Sequence, residues 1–276
     1  MSFNLWGLEI YYYGIIIAGG ILAAFVTGLL IFKKLKYNEN VLFLVLLLCI
    51  PCAIVGARVL YVLCNLSQYH SFLDVINIRL GGLSIYGGVI AGAIGLFAIA
   101  RIKKCGFFTL ADIIVICLIL AQCIGRWGNF TNSEVYGFAV GQHIFPFTVD
   151  IGGTPHLATF FYESVLNLIG FCLLLWIFFK KQKKWGITSA CYLIWYGVVR
   201  AILEPLREAE YILKFYGDNP IVFNQVSFMI SIVMIILGML LLWAVKRGWI
   251  SQKSATLLKE TKECSNKKKT GTKEAK

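Results

Sequence analysis

Charge is the scarcest commodity in this 276-residue chain: only 14% of positions are Asp, Glu, Lys or Arg, and just 14 residues are acidic. Soluble domains carry about 25% charge and about 45–50% apolar residues, whereas here 59% are apolar and mean hydropathy is +0.76. A disordered protein, a small disulfide scaffold and an ordinary soluble enzyme are excluded. No Walker loop, HExxH helix or nucleophile elbow occurs, and no inverted repeat is visible. No Lys or Arg precedes Lys33, so the opening lacks a signal peptide's basic region. The nine cysteines suggest no disulfide framework: most lie in or beside apolar runs. Cys49 and Cys52 spell C-x-x-C around Ile50 and Pro51 inside such a run, where metal or redox chemistry is not indicated.

What remains is length in apolar runs. Seven stretches reach or approach the roughly 20 residues a membrane helix needs: about 11–32, 41–63, 83–101, 109–125, 159–179, 187–205 and 223–245. They are too long and uniformly apolar for alternating barrel strands. The expected fold is an all-α integral membrane protein of seven transmembrane helices, with residues 1–245 as the membrane domain and an outer loop region at about 126–158. The fourth run is short and ends among glycines and asparagines, so its outer end is expected to be irregular. Met1 to Ile10, with Phe3 and Trp6, reads as an interfacial lead-in.

Net charge is +12, which on a soluble chain would suggest nucleic acid. The distribution points elsewhere. Twenty of the 26 basic residues follow the first, third, fifth and seventh runs, from Lys33–Lys36 through Arg101–Lys104 and Lys180–Lys184 to the tail after Lys246. By the positive-inside rule that side is cytoplasmic, placing the N-terminus outside and the C-terminus in the cytoplasm. Residues 246–276 read as a basic, disordered tail drawn to anionic lipid. No nucleic-acid partner is expected.

Six basic residues lie off that side: Arg58, Arg79, Arg126, Arg200, Arg207 and Lys214. Five are arginine, against two of the other twenty. Lysine suffices as a topological charge; arginine adds a planar fork that grips phosphate or carboxylate. Arginines inside a membrane span mark either a functional site or a structural pair with Glu134, Glu163 or Glu204. Tyr196, Arg200, Glu204 and Arg207 fall on one helical stripe, and Pro205 predicts a helix end there. Gly125 to Gly137 (GRWGNFTNSEVYG) sets an arginine, two asparagines and a glutamate between glycines that permit close approach to a ligand. Gly81 to Gly88 brackets Tyr86 with two glycine pairs, which serve helix packing and present a hydroxyl. His70 and His143 fall in expected outer loops.

These residues carry a resemblance. Residues 125–137 match every fixed position of G-R-x-G-N-F-x-N-x-E-x-x-G, the pattern of the phosphatidylglycerol–prolipoprotein diacylglyceryl transferase family. The Gly56-Ala57-Arg58, Gly81-Gly82-Leu83-Ser84 and Tyr162-Glu163-Ser164 stretches and the Tyr196, Arg200, Glu204 stripe fall in family order, so the likeness spans about 1–245. It implies transfer of a diacylglyceryl group from phosphatidylglycerol to a lipoprotein precursor's cysteine thiol, in the bacterial inner membrane with the site toward the outer leaflet. It implies Arg126, Arg200, Tyr86 and Glu134 as catalytic residues, and Arg126, Asn129, Asn132, Gly137, Tyr196, Glu204 and Arg58 as substrate-binding. No metal or organic cofactor is indicated. Two departures stand out. Tyr86-Gly87-Gly88 replaces a usual His-Gly-Gly, and Leu157 to Glu163 (LATFFYE) replaces His-Pro-Thr-Gln-x-Tyr-Glu, with His156 one residue from the second lost histidine. Two alternatives stay open: a diverged paralogue with another acceptor, and a non-enzyme that binds or moves anionic lipid.

Overall fold

A computed structural model describes residues 2–5, 8–66, 69, 71–77, 81–208 and 226–250. Arg79, His70, Lys214 and the tail from 251 onward lie outside the described residues.

All seven expected spans are present as helices long and apolar enough to cross a membrane. They are α1 (Tyr12–Lys34), α2 (Glu39–Cys64), α4 (Ile85–Ile102), α5 (Phe107–Asn132), α6 (Thr159–Trp176), α7 (Ile187–Leu203) and α8 (Val226–Arg247). A π-helical turn, Ile177–Lys181, prolongs α6. The short α3 (Phe72–Ile76) sits between α2 and α4 and opens with a capping box from Ser71 and Asp74. Two antiparallel hairpins complete the set: β1 (Ser2–Leu5) with β2 (Leu8–Tyr11), and β3 (Thr148–Ile151) with β4 (Thr154–Leu157). The opening lead-in is thus a paired ribbon, whose ladder satisfies backbone groups that a bare strand would leave open.

Two compact units are distinguished. One comprises Gly28–Ala111 among the described residues. Within it, α2 and α4 pack backbone to backbone. A Cβ on Gly56 would stand 2.7 Å from the Gly87 carbonyl oxygen, so small residues are what allow this approach. Arg58 is buried there, and its five N–H donors go to the carbonyls of Asp74 (2.7 Å), Val75 (2.8 Å), Asn77 (2.9 Å), Gly81 (2.7 Å) and Gly82 (3.0 Å).

The other unit, Met1–Thr27 with Asp112–Ser251, carries the charged cluster described below. At the Lys-rich end of its helices, buried Asp112 accepts hydrogen bonds from the N–H groups of Gly186 (2.7 Å) and Ser189 (2.8 Å), from Ser189 Oγ (2.5 Å) and from Gln182 Nε2 (2.8 Å). A carboxylate on the first N–H groups of α7 satisfies donors that the helix cannot use internally. At the other end α7 stops at Leu203, and a 3-10 turn, Glu204–Leu206, follows with Pro205 inside it. This is where Pro205 predicted a stop.

The fourth span differs from expectation. Instead of fraying after Gly125, α5 runs on through Asn132. Gly128 is buried, and a Cβ there would stand 2.8 Å from the Tyr13 ring, so packing against α1 offsets the helix cost of glycine. Arg126 and Asn129 are therefore helical, and the connection begins at Ser133. Ser133 and Val135 adopt positive φ (52° and 55°) and turn the chain off the helix.

Candidate active site

Five charged side chains of the second-described unit gather from three helix ends. Arg126 lies in the last two turns of α5, Glu163 in the first turns of α6, and Arg200, Glu204 and Arg207 at the end of α7 and just past it. Glu163 is the hub. Its carboxylate stands 2.5 Å from Arg126 Nη2, 3.3 Å from Arg207 Nη2 and 3.6 Å from Arg200 Nη1. Glu204 stands 2.8 Å from Arg200 Nη2 and 3.6 Å from Arg207 Nε. Both carboxylates are 1% exposed.

Three guanidiniums against two carboxylates leave one positive charge over, in a place with little water to screen it. Only the Arg207–Glu163 contact is also aligned as a hydrogen bond. Among the described residues Arg200 Nη1 and Arg207 Nε, each 3.6 Å from a carboxylate oxygen, complete no hydrogen bond, and neither do the buried oxygens Glu163 Oε1 and Glu204 Oε2. The cluster is thus joined by charge more than by aligned hydrogen bonds, and an incoming anion at the two N–H groups would complete bonds that the carboxylates leave unmade. Burial first, and then Arg200 beside it, push the Arg207 guanidinium below its ordinary pKa, against the pull of Glu163 and Glu204. Tyr196 extends the stripe: its hydroxyl accepts from Arg126 Nη2 at 3.5 Å, and its ring stacks on Tyr192 at 5.7 Å.

Arg207 is held by backbone as well as by charge. Residues 136–140 lie between two neighbours. On one side Gly137 N–H donates to Leu157 O (2.8 Å) and Val140 N–H to Pro155 O (2.8 Å). On the other, Phe138 N–H donates to Leu206 O (3.2 Å), and Gly137 bridges Arg207. A Cβ on Gly137 would stand 2.6 Å from Leu206 O, so only glycine lets the three segments close. Gly137, expected to touch substrate, shapes the site through this crossing.

The other expected residues divide. Tyr196, Arg200 and Glu204 share one face as the helical spacing predicted, and Arg126 meets them from α5. Asn129 is half-buried on α5, and its side chain makes no hydrogen bond to a described residue. Asn132 is exposed and donates to Glu134 Oε1 at 3.4 Å. Glu134 was expected to hold an arginine; among the described residues it makes no salt bridge, and it stays against the end of α5, its N–H donating to Asn129 O at 3.0 Å. Arg58 belongs to the other unit, and its donors are taken by carbonyls. Tyr86 is half-buried in the first turn of α4, also in that unit. His156 Nδ1–H donates to Gly137 O at 2.9 Å, and His143 Nδ1 lies 3.4 Å from Thr148 Oγ1.

The central role of Glu163 was not foreseen. Its signal was present, since it is the sole carboxylate in the fifth apolar run, and an intramembrane acid calls for a partner. Arg207 was legible as the end of the stripe, but not as a third guanidinium on one carboxylate.

Fold and cluster together define a multi-pass helical membrane protein with a buried, net-positive cluster of side chains near one end of its helices. The model of the family described as prolipoprotein diacylglyceryl transferase matches residues 1–244, and the chain belongs to that family. It is 36% identical over 243 residues to a phosphatidylglycerol–prolipoprotein diacylglyceryl transferase of Finegoldia magna, covering 87% of this chain and 93% of that protein. Identity to the protein of the same name from Clostridium kluyveri is 40% over 215 residues, 75% of this chain and 84% of the relative. With the Enterococcus faecalis protein of that name it is 36% over 261 residues, covering 90% and 91%.

Proposed function

We propose that this chain transfers the diacylglyceryl group of phosphatidylglycerol to the thiol of the lipobox cysteine in lipoprotein precursors. The relatives' names supply both substrates. The observation that carries the reading onto this chain is the surplus positive charge on Arg126, Arg200 and Arg207, together with the buried donors Arg200 Nη1 and Arg207 Nε. A lipid phosphate is the anion such a cluster fits.

In the proposed reaction the cysteine thiolate attacks the glycerol carbon that bears the phosphate. The carbon–oxygen bond breaks, its electron pair leaves with glycerol phosphate, a thioether forms, and the thiol proton passes to solvent or to the leaving group. Charge thus grows on phosphate oxygens. Preorganised donors aimed at growing charge are worth about 2.7–4 kcal/mol apiece, the role assigned to Arg126 and Arg200. Asn129, whose amide makes no described hydrogen bond, suits the glycerol headgroup. The acceptor thiol has a reference pKa of about 8.5, and the cluster's positive field raises its thiolate fraction. Tyr86 is proposed, from its place in the sequence pattern, as a hydrogen-bond donor rather than a base.

Labelled phosphatidylglycerol with a lipobox peptide tests the reading. A thioether product is expected; turnover to another acceptor, or binding without turnover, would overturn it. Orientation is part of the proposal. The N-terminus and residues 133–158 are placed outside and the C-terminus in the cytoplasm, on the strength of the twenty clustered basic residues. With single cysteines in sealed cells, Ser133→Cys should react with an impermeant label and Lys183→Cys should not; the reverse would invert the map.

A further inference from the structure

Between Glu134 and Asp150 the chain runs fifteen residues, Val135–Val149, without one Asp, Glu, Lys or Arg. Phe138, Ile144, Phe145 and Phe147 in this stretch are between 46% and 59% exposed. Large apolar side chains gathered on one connection mark a contact surface. The contacts of this segment say which kind. Phe147 N–H donates to Ile144 O at 2.9 Å, closing a turn over 144–147. The Phe145 ring lies 6.3 Å from Phe130, near the end of α5. The Phe147 ring lies 5.5 Å from Phe161 and 6.3 Å from Tyr162, in the first turn of α6. From Tyr162 an exposed strip continues down α6 through Val165, Ile169 and Trp176, at spacings of three, four and seven residues. The β3–β4 turn is different in kind: Asp150, Gly152, Gly153 and Thr154 are exposed there, and Asp150 Oδ1 accepts from Gly153 N–H at 2.8 Å.

We infer that the 144–147 turn is an interfacial anchor that lies in the headgroup–acyl boundary of the bilayer beside the ends of α5 and α6. The occupant of this surface is lipid, because Phe147, packed on Phe161 and Tyr162, continues the exposed apolar strip of a membrane-crossing helix. Phe and Ile side chains on such a segment bury their apolar surface at that boundary while its backbone stays near the headgroups. The anchor also has a geometric consequence. Phe130, which Phe145 touches, lies one helical turn beyond Arg126, an axial rise of about 6 Å. A fixed depth for this turn therefore fixes the depth of the arginine cluster. The inference concerns how the protein sits in the membrane and stands whether or not the proposed transfer is correct.

The test uses spin labels on the full chain in single-copy nanodiscs of phosphatidylcholine and phosphatidylglycerol, with native cysteines replaced. Labels at Ile144→Cys and Phe138→Cys should collide more with oxygen, which concentrates in lipid, than with a water-soluble nickel chelate. A label at Thr154→Cys should show the opposite order. Greater nickel access at both 144 and 138 would overturn the anchor, as would exclusion of both reagents, which would mean protein covers the turn. Site 138 lies outside the turn, so local disruption by the Ile144 substitution cannot imitate the expected result. The reading requires no turnover, so a failed transfer assay and a failed anchor remain distinguishable.

Discussion

Replacing Glu163 by Gln keeps the shape of the side chain and removes its charge, taking the cluster from one surplus positive charge to two. The loss falls unevenly. Arg200 and Arg207 keep Glu204, at 2.8 and 3.6 Å, whereas Arg126 loses the one carboxylate it pairs with among the described residues and retains the Tyr196 hydroxyl at 3.5 Å. Breaking a buried pair by removing one partner costs about 3–5 kcal/mol. Arg126 keeps 20% side-chain exposure, so the lower end, about 3 kcal/mol, applies; that is roughly two decades in the folding equilibrium. An anionic headgroup should return the missing charge. A ligand at one hundred times its Kd stabilises the protein that binds it by about 2.7 kcal/mol, and tenfold tighter binding by the more positive variant adds about 1.4 kcal/mol. The deficit of Glu163→Gln relative to the parent should therefore be about 3 kcal/mol in neutral micelles with phosphatidylcholine, and close to half that with phosphatidylglycerol. Thermal unfolding of both proteins in both lipids measures it. Turnover should fall while KM for the lipid does not rise, because Arg126 is released from position while the attraction grows. An equal deficit in the two lipids would refute the cluster as an anion site.

Three further outcomes follow from the same geometry. Arg126→Lys and Arg200→Lys should each lose most turnover at equal protein level, since a point charge cannot reproduce a guanidinium shared between two partners; near-normal rates in both would remove the clamp. Tyr86→Phe should slow turnover by the value of one hydrogen bond to a charged group, about 1.5–3 kcal/mol, and Tyr86→His should restore or raise it; a Phe variant equal to the parent would make the hydroxyl a bystander. Arg58→Lys should lower thermal stability, because three donors replace five and hydrogen bonds to a charged group are worth about 1.5–3 kcal/mol each, yet leave the lipid dependence of stability unchanged; a selective loss of phosphatidylglycerol response would return Arg58 to the ligand.

The seven helices were legible because a bilayer constrains sequence strongly: length and apolarity suffice, and Pro205 marked the end of α7 through its missing N–H. The Tyr196, Arg200, Glu204 stripe was legible because helical spacing is fixed. The extension of α5 through Asn132 was not, since Gly125, Gly128 and two asparagines oppose a helix locally while packing of Gly128 against Tyr13 favours it. Nor was the fate of Arg58. Sequence marks a buried cation but not the carbonyls of 74–82 that fold around it. Glu163 and Glu134 were equally plausible partners on paper; Glu163 faces the arginines from the first turns of α6, while Glu134 lies past the end of α5 against Asn129 and Asn132, and residue type alone predicts neither.

Helix α7 is tied at both ends. Asp112 grips the N–H groups of Gly186 and Ser189 at one end, and the crossing at Gly137 holds Leu206 and Arg207 at the other. Between Ser189 and Arg200 the helix rises about 16 Å, so the two ties act like bearings on a short shaft. Sliding α7 by one turn, about 5.4 Å, would break both at once, and a twist would swing Arg200 off Glu163. Piston-like motion of α7 would therefore cost both ties together. Arg200, close to the second tie, is held at one height beside Glu163 and Glu204, so rearrangement around the cluster falls more readily to other parts of the molecule.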